Sequence, residues 1–176
     1  MDEALRRGRM KLEVRTLTRE DVPQLRELRL ESLRLHPEAF AADLDTEEAM
    51  PPAQWAERLG TATTFGGFVD GVLSGIAVFA KSSRKKIMHT GELGAMYVRE
   101  IARGTGLADA LIEAVIDQAV NEVEQIKLTV NAENPRAIKL YERHGFRTIG
   151  KYPNSLRVGS RTYEELIMLR PVSPSD

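Results

Sequence analysis

Residues 98–120 read V-R-E-I-A-R-G-T-G-L-A-D-A-L-I-E-A-V-I-D-Q-A-V: an apolar strand end, the turn Arg103-Gly104-Thr105-Gly106-Leu107-Ala108, and a segment of helical periodicity. Leu107, Leu111, Ala114 and Val115 share one side of that helix, and Ile112, Ile116 and Ala119 widen the stripe, as in a helix laid on a sheet. Glycines at such a turn allow close backbone approach, and the first helical turn leaves several N–H groups without internal partners. That combination is a receptor for anionic phosphate oxygens. Two other phosphate loops are not completed: Asp109 stands where a Rossmann fingerprint wants a small residue, and the Gly-Lys-Ser/Thr of a Walker loop is absent. Glycines serving only a tight turn remain the plain alternative.

On the far side of this helix, residues 125–130 read as a strand, and on the near side residues 87–98 read as a longer one. The resulting βαβ order implies a right-handed parallel crossover. Upstream, Asp70-Gly71 between two apolar runs, 65–69 and 72–79, predicts an antiparallel hairpin. Further upstream, residues 12–17 alternate as a strand, and Thr18-Arg19-Glu20-Asp21 opens a helix that buries Leu25, Leu28, Leu33 and Leu35 and ends at His36-Pro37. Residues 54–59 belong to a second helix, and Asp45 with Glu48 resembles a capping box near an earlier helical turn. Downstream, Asn134-Pro135 starts a helix that runs to His144-Gly145, followed by strands at 146–151 and 161–169.

Arg103-x-x-Gly106-x-Ala108, followed by Asn134, Tyr141 and Gly145-Phe146, is similar to the GNAT superfamily of acyl-CoA-dependent N-acetyltransferases. The likeness covers residues 14–170, and its specificity lies in the two motifs occurring in this order and separation. The resemblance implies an α/β (α+β) fold: a mixed, mostly antiparallel sheet of six or seven strands with helices on both faces, whose parallel strand pair splays into a cleft. A single domain over residues 11–170 is expected, between a flexible tail at 1–10 and a short tail at 171–176.

Composition agrees with one core. A chain of 176 residues should bury about 70% of its unfolded surface. The 42% hydrophobic and 29% charged content is ordinary, and a net charge of −1 gives no general attraction to nucleic acid or to an anionic membrane. With no cysteine, disulfides, thiolate metal sites and a cysteine nucleophile are excluded, so acyl transfer would pass directly between bound partners. The basic start holding Arg6, Arg7, Arg9 and Lys11 is not followed by a signal-peptide core, and no apolar run spans a bilayer; a cytoplasmic protein is expected.

For the donor, acetyl-CoA, the backbone of Arg103, Gly104, Thr105, Gly106, Leu107 and Ala108 would cradle the pyrophosphate, and Arg103 would add a charged fork. The resemblance further implies that Met96, Tyr97 and Val98 pair with the pantetheine arm like an added strand, and that Asn134 contacts the arm with Ala137 and Tyr141 nearby on the same helix. Asn134 also has a plain role as N-cap ahead of a first-turn proline. Tyr141, seven residues on, returns to the same helix face and would sit near the sulfur. A phenol with pKa about 10 and a thiol at about 8.5 make full proton donation uphill by about 2 kcal/mol, which favours hydrogen bonding to the developing thiolate.

Glu92 is the candidate base, against the alternative of a half-exposed strand residue paired with a neighbouring cation. Its gap to an alkylammonium is worth about 8 kcal/mol, whereas an α-amine is already roughly a tenth neutral at pH 7. Tyr97 is placed by alternation on the opposite strand face from Glu92. Asp43, Asp45, Glu47 and Glu48 are either helix caps or attractors for a cationic acceptor; Tyr163, Glu164 and Glu165 stand where related sequences shape the acceptor pocket. The run Lys81, Arg84, Lys85 and Lys86 reads as a solvated turn, and His36, His89 and His144 lack metal-ligand spacing. The sequence therefore points to an acetyl-CoA-dependent transferase of a primary amine, with no metal. Its acceptor is a small amine or a protein N-terminus, neither nucleic acid nor membrane is a partner, and a homodimer is compatible. A noncatalytic acyl-CoA sensor is the alternative from another class.

Overall fold

The computed structural model describes residues 10–172, so the basic start at 1–9 and the last four residues lie outside it. In chain order the elements are β1 (Leu12–Thr16), α1 (Val22–Leu35), α2 (Leu44–Glu48), α3 (Pro52–Thr61), β2 (Thr63–Val69), β3 (Val72–Lys81), β4 (Thr90–Val98), α4 (Leu107–Ala119), β5 (Gln125–Asn131), α5 (Pro135–Arg143), β6 (Arg147–Val158) and β7 (Arg161–Pro171). One seven-stranded sheet runs β1-β2-β3-β4-β5-β7-β6, antiparallel at every junction except β4–β5.

The hairpin forms where Asp70-Gly71 predicted it: both residues have positive φ, 49° and 83°, so the turn matches the right-handed twist of β2 and β3. The Asp70 carboxylate also accepts the Lys11 amide at 2.9 Å, which ties the start of β1 to the same turn. Helix α1 buries Leu25, Leu28, Leu30 and Leu33, but Leu35 is 59% exposed. Leu35 falls off the stripe because the i, i+3, i+7 series from Leu25 continues through Ser32 and Leu33, not through position 35.

Several boundaries move. The strand expected from Ile87 starts at Thr90, because 84–90 form successive turns in which Ile87 and Thr90 donate to Arg84 and Ile87 carbonyls. Asp43, not Asp45, caps α2, accepting the Thr46 amide at 2.9 Å. β6 continues seven residues beyond Lys151 to Val158, since a register shift between Tyr152 and Leu156 lets Pro153-Asn154 step out of the ladder. At the other end Pro171 still pairs with Gln125, and Val172 is buried with its amide donating to Glu124, so the ordered body reaches further than the expected tail boundary.

The sheet separates two apolar cores. On one face Phe79, Leu93, Leu107, Leu111, Ile112, Val115, Ile126 and Phe146 pack around α4; on the other Leu28, Trp55, Phe68, Leu73, Ile76 and Tyr97 pack under α1 and α3. Truncating any fully buried residue of either core, such as Leu111 or Leu28, would cost about 2–5 kcal/mol.

Candidate functional site

The parallel ladder between β4 and β5 has three pairs, Thr90 with Gln125, Gly91 with Ile126 and Glu92 with Lys127. Beyond Glu92 the strands part. β5 continues alongside β7 as far as Asn131, while β4 bulges: Gly94 pairs with Val78 and Tyr97 with Ile76, leaving one residue too many on β4, with Ala95 at φ 47°. Such a bulge bends a strand and ends its pairing on one side. The edge of β4 over Met96, Tyr97 and Val98 is thereby turned toward a cleft of about 750 Å³.

The bulge also overturns one reading from alternation. Leu93 belongs to the α4 core, yet Tyr97 belongs to the α1 core, so the inserted residue has flipped the phase and placed Tyr97 on the same sheet face as Glu92. The Tyr97 hydroxyl donates to Glu31 at 3.0 Å, and Arg99 grips the same carboxylate at 2.9 Å. Burial first, then the Glu31 contact, push the Tyr97 phenol up to about 12, so it is a structural pin between β4 and α1 and stays protonated.

The turn into α4 lies at the mouth of the cleft. Gly104 and Gly106 have φ of 76° and 91°, with open space where a Cβ would stand, so backbone conformation rather than crowding requires glycine at both. Thr105 is the internal brace: its hydroxyl donates to the Ala102 carbonyl at 2.6 Å and accepts the Leu107 amide at 3.3 Å. The Arg103 amide is likewise used, on Glu100. The amides of Gly104, Thr105, Gly106 and Ala108 find no acceptor among the described residues, which leaves four of the six anticipated donors for an anion. Leu107 is fully buried under the sheet, so neither it nor Thr105 lines the cleft, whereas Gly104, Gly106 and Ala108 do.

The Arg103 side chain lies along the cleft, its Nε donating to the Val98 carbonyl at 3.2 Å and its Nη2 3.5 Å from His36 Nε2. Facing it, α5 begins with the Asn134 side chain accepting the Ala137 amide at 3.1 Å. Asn134, Ala137 and Tyr141 all line the cleft from this helix, as one face of a 3.6-residue period requires. The Tyr141 ring is buried and meets Phe146 edge-on at 5.9 Å. Its hydroxyl has no partner among the described residues, and burial alone raises its pKa above the ordinary phenol value, so it enters the site as a neutral donor.

A clamp that the sequence did not reveal joins the two helices. Asp109, in the first turn of α4, receives His144 at 2.8 Å and Arg143 at 2.9 Å from the end of α5. Burial pushes the Asp109 carboxyl up, but these two contacts outweigh it and its pKa lies below the usual range. Asn131 was also missed: it is 5% exposed, donates to the Glu38 carbonyl at 3.0 Å and accepts the Glu133 amide at 2.8 Å, fixing the end of β5 against the segment after α1. Only long-range contacts identify it; its local sequence carries no signal.

The structure does not bring Glu92 into this constellation. Its side chain is 59% exposed, 3.7 Å from Lys127 Nζ on the last parallel rung, and it does not line the cleft. The four acidic residues between α1 and α3 are elsewhere too: Asp43 caps α2, Glu47 is buried between Arg29 and Arg58, and Asp45 and Glu48 face solvent. Of the last-strand group, Tyr163 lines the cleft with Arg161 over its ring, whereas Glu165 accepts Ser155 and Glu164 lies 3.9 Å from Lys151. Lys81 is paired with Glu122 at 2.8 Å.

A sheet opened at its one parallel junction, with unpaired amides at a helix start on one lip and a buried phenol on the other, defines the class. The acetyltransferase (GNAT) family profile matches residues 22–146, and the chain belongs to that family. Among curated relatives, it is 30% identical over 94 residues to N-alpha-acetyltransferase 30 of Saccharomyces cerevisiae, covering 53% of each chain. It is 31% identical over 101 residues to the L-amino acid N-acetyltransferase AaaT of Escherichia coli, covering 54% of this chain and 62% of that one. The matched stretch thus spans little more than half the length of these relatives. A solved structure described as yncA from Salmonella typhimurium with its cofactor acetyl-CoA superposes with a TM-score of 0.77 at 21% identity over 94% of this chain and 96% of that one. Among the described residues no helix is long and apolar enough to cross a membrane.

Proposed function

We propose that the protein transfers an acetyl group from acetyl-CoA to a primary amine by direct attack within a ternary complex. The observation that carries this reading is the cleft itself: an unpaired β4 edge at Met96, Tyr97 and Val98 leads from free amides at Gly104, Gly106 and Ala108 to the Tyr141 hydroxyl. The diphosphate sits on those amides, where the α4 dipole adds about 0.3–1 kcal/mol. The pantetheine arm hydrogen-bonds the open strand edge, and the Asn134 amide group, whose oxygen caps α5, offers its nitrogen to the arm. Arg103 leaves the Val98 carbonyl to meet a phosphate, which frees that carbonyl for the arm.

The neutral amine attacks the thioester carbon, the C–N bond forms, and the tetrahedral intermediate collapses with cleavage of C–S. Backbone N–H groups at the β4 bulge polarise the carbonyl, and Tyr141 donates a hydrogen bond to the departing sulfur. Holding both reactants in register supplies much of the acceleration. The proton released from nitrogen passes to water; Glu92 takes part only through a water relay, since it stands outside the cleft.

The acceptor class that fits this weak base is an α-amine, which is partly neutral near pH 7 without assistance. One curated relative is named an N-alpha-acetyltransferase and the other an L-amino acid N-acetyltransferase, and both names support an α-amine as the acceptor here. A cytoplasmic location and the absence of a nucleic-acid or membrane partner belong to the same reading, as does a domain spanning residues 11–170. Incubating the protein with labelled acetyl-CoA and an amine panel tests it: label on an amide product supports transfer, and binding of coenzyme without any labelled product identifies a sensor instead.

A further inference from the structure

The donor reading fills one part of the cleft: the amides at Gly104, Gly106 and Ala108, the β4 edge, and the α5 face with Asn134, Ala137 and Tyr141. The lining it leaves free comes from the segment after α1 and from the ends of β5 and β7: Glu38, Phe40, Asn131, Glu133, Arg161 and Tyr163. Asn131 knits these pieces together. Its Nδ2 donates to the Glu38 carbonyl at 3.0 Å and its Oδ1 accepts the Glu133 amide at 2.8 Å. The short turn Pro37–Ala39 is thereby fastened to β5 where that strand has parted from β4.

Three carboxylates line the cleft among the described residues, and two of them are spent. Asp109 receives His144 and Arg143, and Glu133 takes Arg161 Nη2 on both oxygens, at 2.9 and 3.0 Å. The Glu38 carboxylate accepts no hydrogen bond among the described residues. Its neighbour within the same segment is His36, whose Nδ1 lies 3.8 Å away. A guanidinium only donates, so His36 Nε2 accepts from Arg103 at 3.5 Å, and the ring keeps its one hydrogen on Nδ1 and carries no charge. Tyr97 of β4, 6.0 Å from the His36 ring, is a neutral phenol pinned by Glu31 of α1. Across the lining, Glu133 and Arg161 neutralise each other. Glu38 is therefore the carboxylate of the cleft that is left without a counter-charge. We propose that Glu38 binds the acceptor as its ammonium ion, so that protonated α-amines are selected before they react.

This assignment rests on the transfer reading for the position of the donor, and it places in the cleft the negative charge that Asp43, Asp45, Glu47 and Glu48 do not bring there. With the acceptor held at Glu38, one N–H bond of the ammonium breaks, its electron pair stays on nitrogen and the proton leaves to water. The freed pair then forms the C–N bond, and the C–S pair departs with sulfur. Glu38 acts in binding, so its loss falls on acceptor affinity before turnover. An α-ammonium titrating at about 7.7–8 is mostly charged at pH 7 and neutral by about pH 9.5, so the contact is present at the lower pH and fades toward the higher.

The full chain is saturated with coenzyme A, which fills the donor site without an acetyl group to transfer. It is then titrated calorimetrically with glycinamide, alaninamide and leucinamide, and with their deamino counterparts acetamide, propanamide and 4-methylpentanamide. At pH 7 the amine of at least one pair should bind at least about tenfold more tightly than its counterpart. That preference should shrink below about twofold at about pH 9.5. Glu38→Gln should abolish the preference at pH 7 and Glu38→Asp should keep part of it, while coenzyme affinity stays within about twofold in both variants and reports an intact fold. In turnover, Glu38→Gln should raise KM for the amine at least about tenfold and lower kcat less. Equal binding within every pair, a preference that survives Glu38→Gln, or a parallel loss of coenzyme binding in both variants overturns the proposal. Amines that bind through Glu38 yet are never acetylated from acetyl-CoA overturn the transfer reading and leave this site standing; acetylation indifferent to Glu38→Gln does the reverse.

Discussion

Tyr141 shows how much one side chain's role depends on its surroundings. An exposed phenol would share its proton with water, but this one is buried beside Phe146 with its hydroxyl unpaired. Burial penalises the phenolate, so the raised pKa keeps Tyr141 a donor throughout the working range. Tyr141→Phe should leave acetyl-CoA affinity within about twofold while lowering kcat by about 100-fold, as loss of a single transition-state hydrogen-bond donor does. Stopped-flow turnover with parallel calorimetric titration of the donor separates the two quantities. The wild-type kcat profile should show no descending limb from this residue up to about pH 10. Glu92→Gln, by contrast, should change kcat/KM by less than about threefold, because the carboxylate is solvated and already faces Lys127; a loss of a hundredfold would restore it as the base.

At the scale of elements, the site is the meeting of two helix starts and one interrupted strand. The strand is interrupted by its bulge at Ala95, and α4 is entered through two left-handed glycines. Gly106→Ala meets no steric obstacle in the structure, yet a left-handed alanine costs about 1–2 kcal/mol. That substitution should lower the melting temperature by several degrees and weaken donor binding at least about tenfold as the amides tilt, measurable by thermal shift with and without acetyl-CoA. Asp109→Asn removes the charge that holds the Arg143 and His144 end of α5. It should raise KM for the donor more than it lowers kcat, since the helix carrying Asn134 and Tyr141 loses its anchor while the reacting groups remain.

For the whole molecule, acid sensitivity follows from one ion pair joining β1 to the turn that starts α1. Arg15 donates two hydrogen bonds of 2.8 Å to Asp21, which also accepts the Thr18 amide. The Arg15 contact first and the Thr18 contacts further down the line outweigh burial and hold the Asp21 carboxyl at about 2, below its unfolded value. A depressed carboxyl pKa stabilises the fold above the unfolded pKa near about 4 and ceases to do so as pH falls through about 2. Urea midpoints measured from pH 5 to 2 should therefore fall, and Asp21→Asn, less stable at pH 5, should lose its difference from the parent chain toward pH 2.

The order of elements, the hairpin at Asp70-Gly71, the βαβ crossover and the two motifs around Gly106 and Tyr141 were all determined by local sequence. Turn chemistry, helix capping and hydrophobic period act over a few residues, so a reader of the chain recovers them. What tertiary structure alone decided was everything that depends on partners far away in sequence. The bulge that flipped Tyr97 across the sheet, the end of the β4–β5 ladder at Glu92, the Asp109 clamp, and the pairing of Glu47 with Arg29 and Arg58 are of this kind. A one-residue slip in a strand has no local signature yet reverses every side chain beyond it. Glu92 looked like a base from its place in the strand and proved solvent-facing for that reason: which face a strand residue buries is fixed by what packs on the sheet.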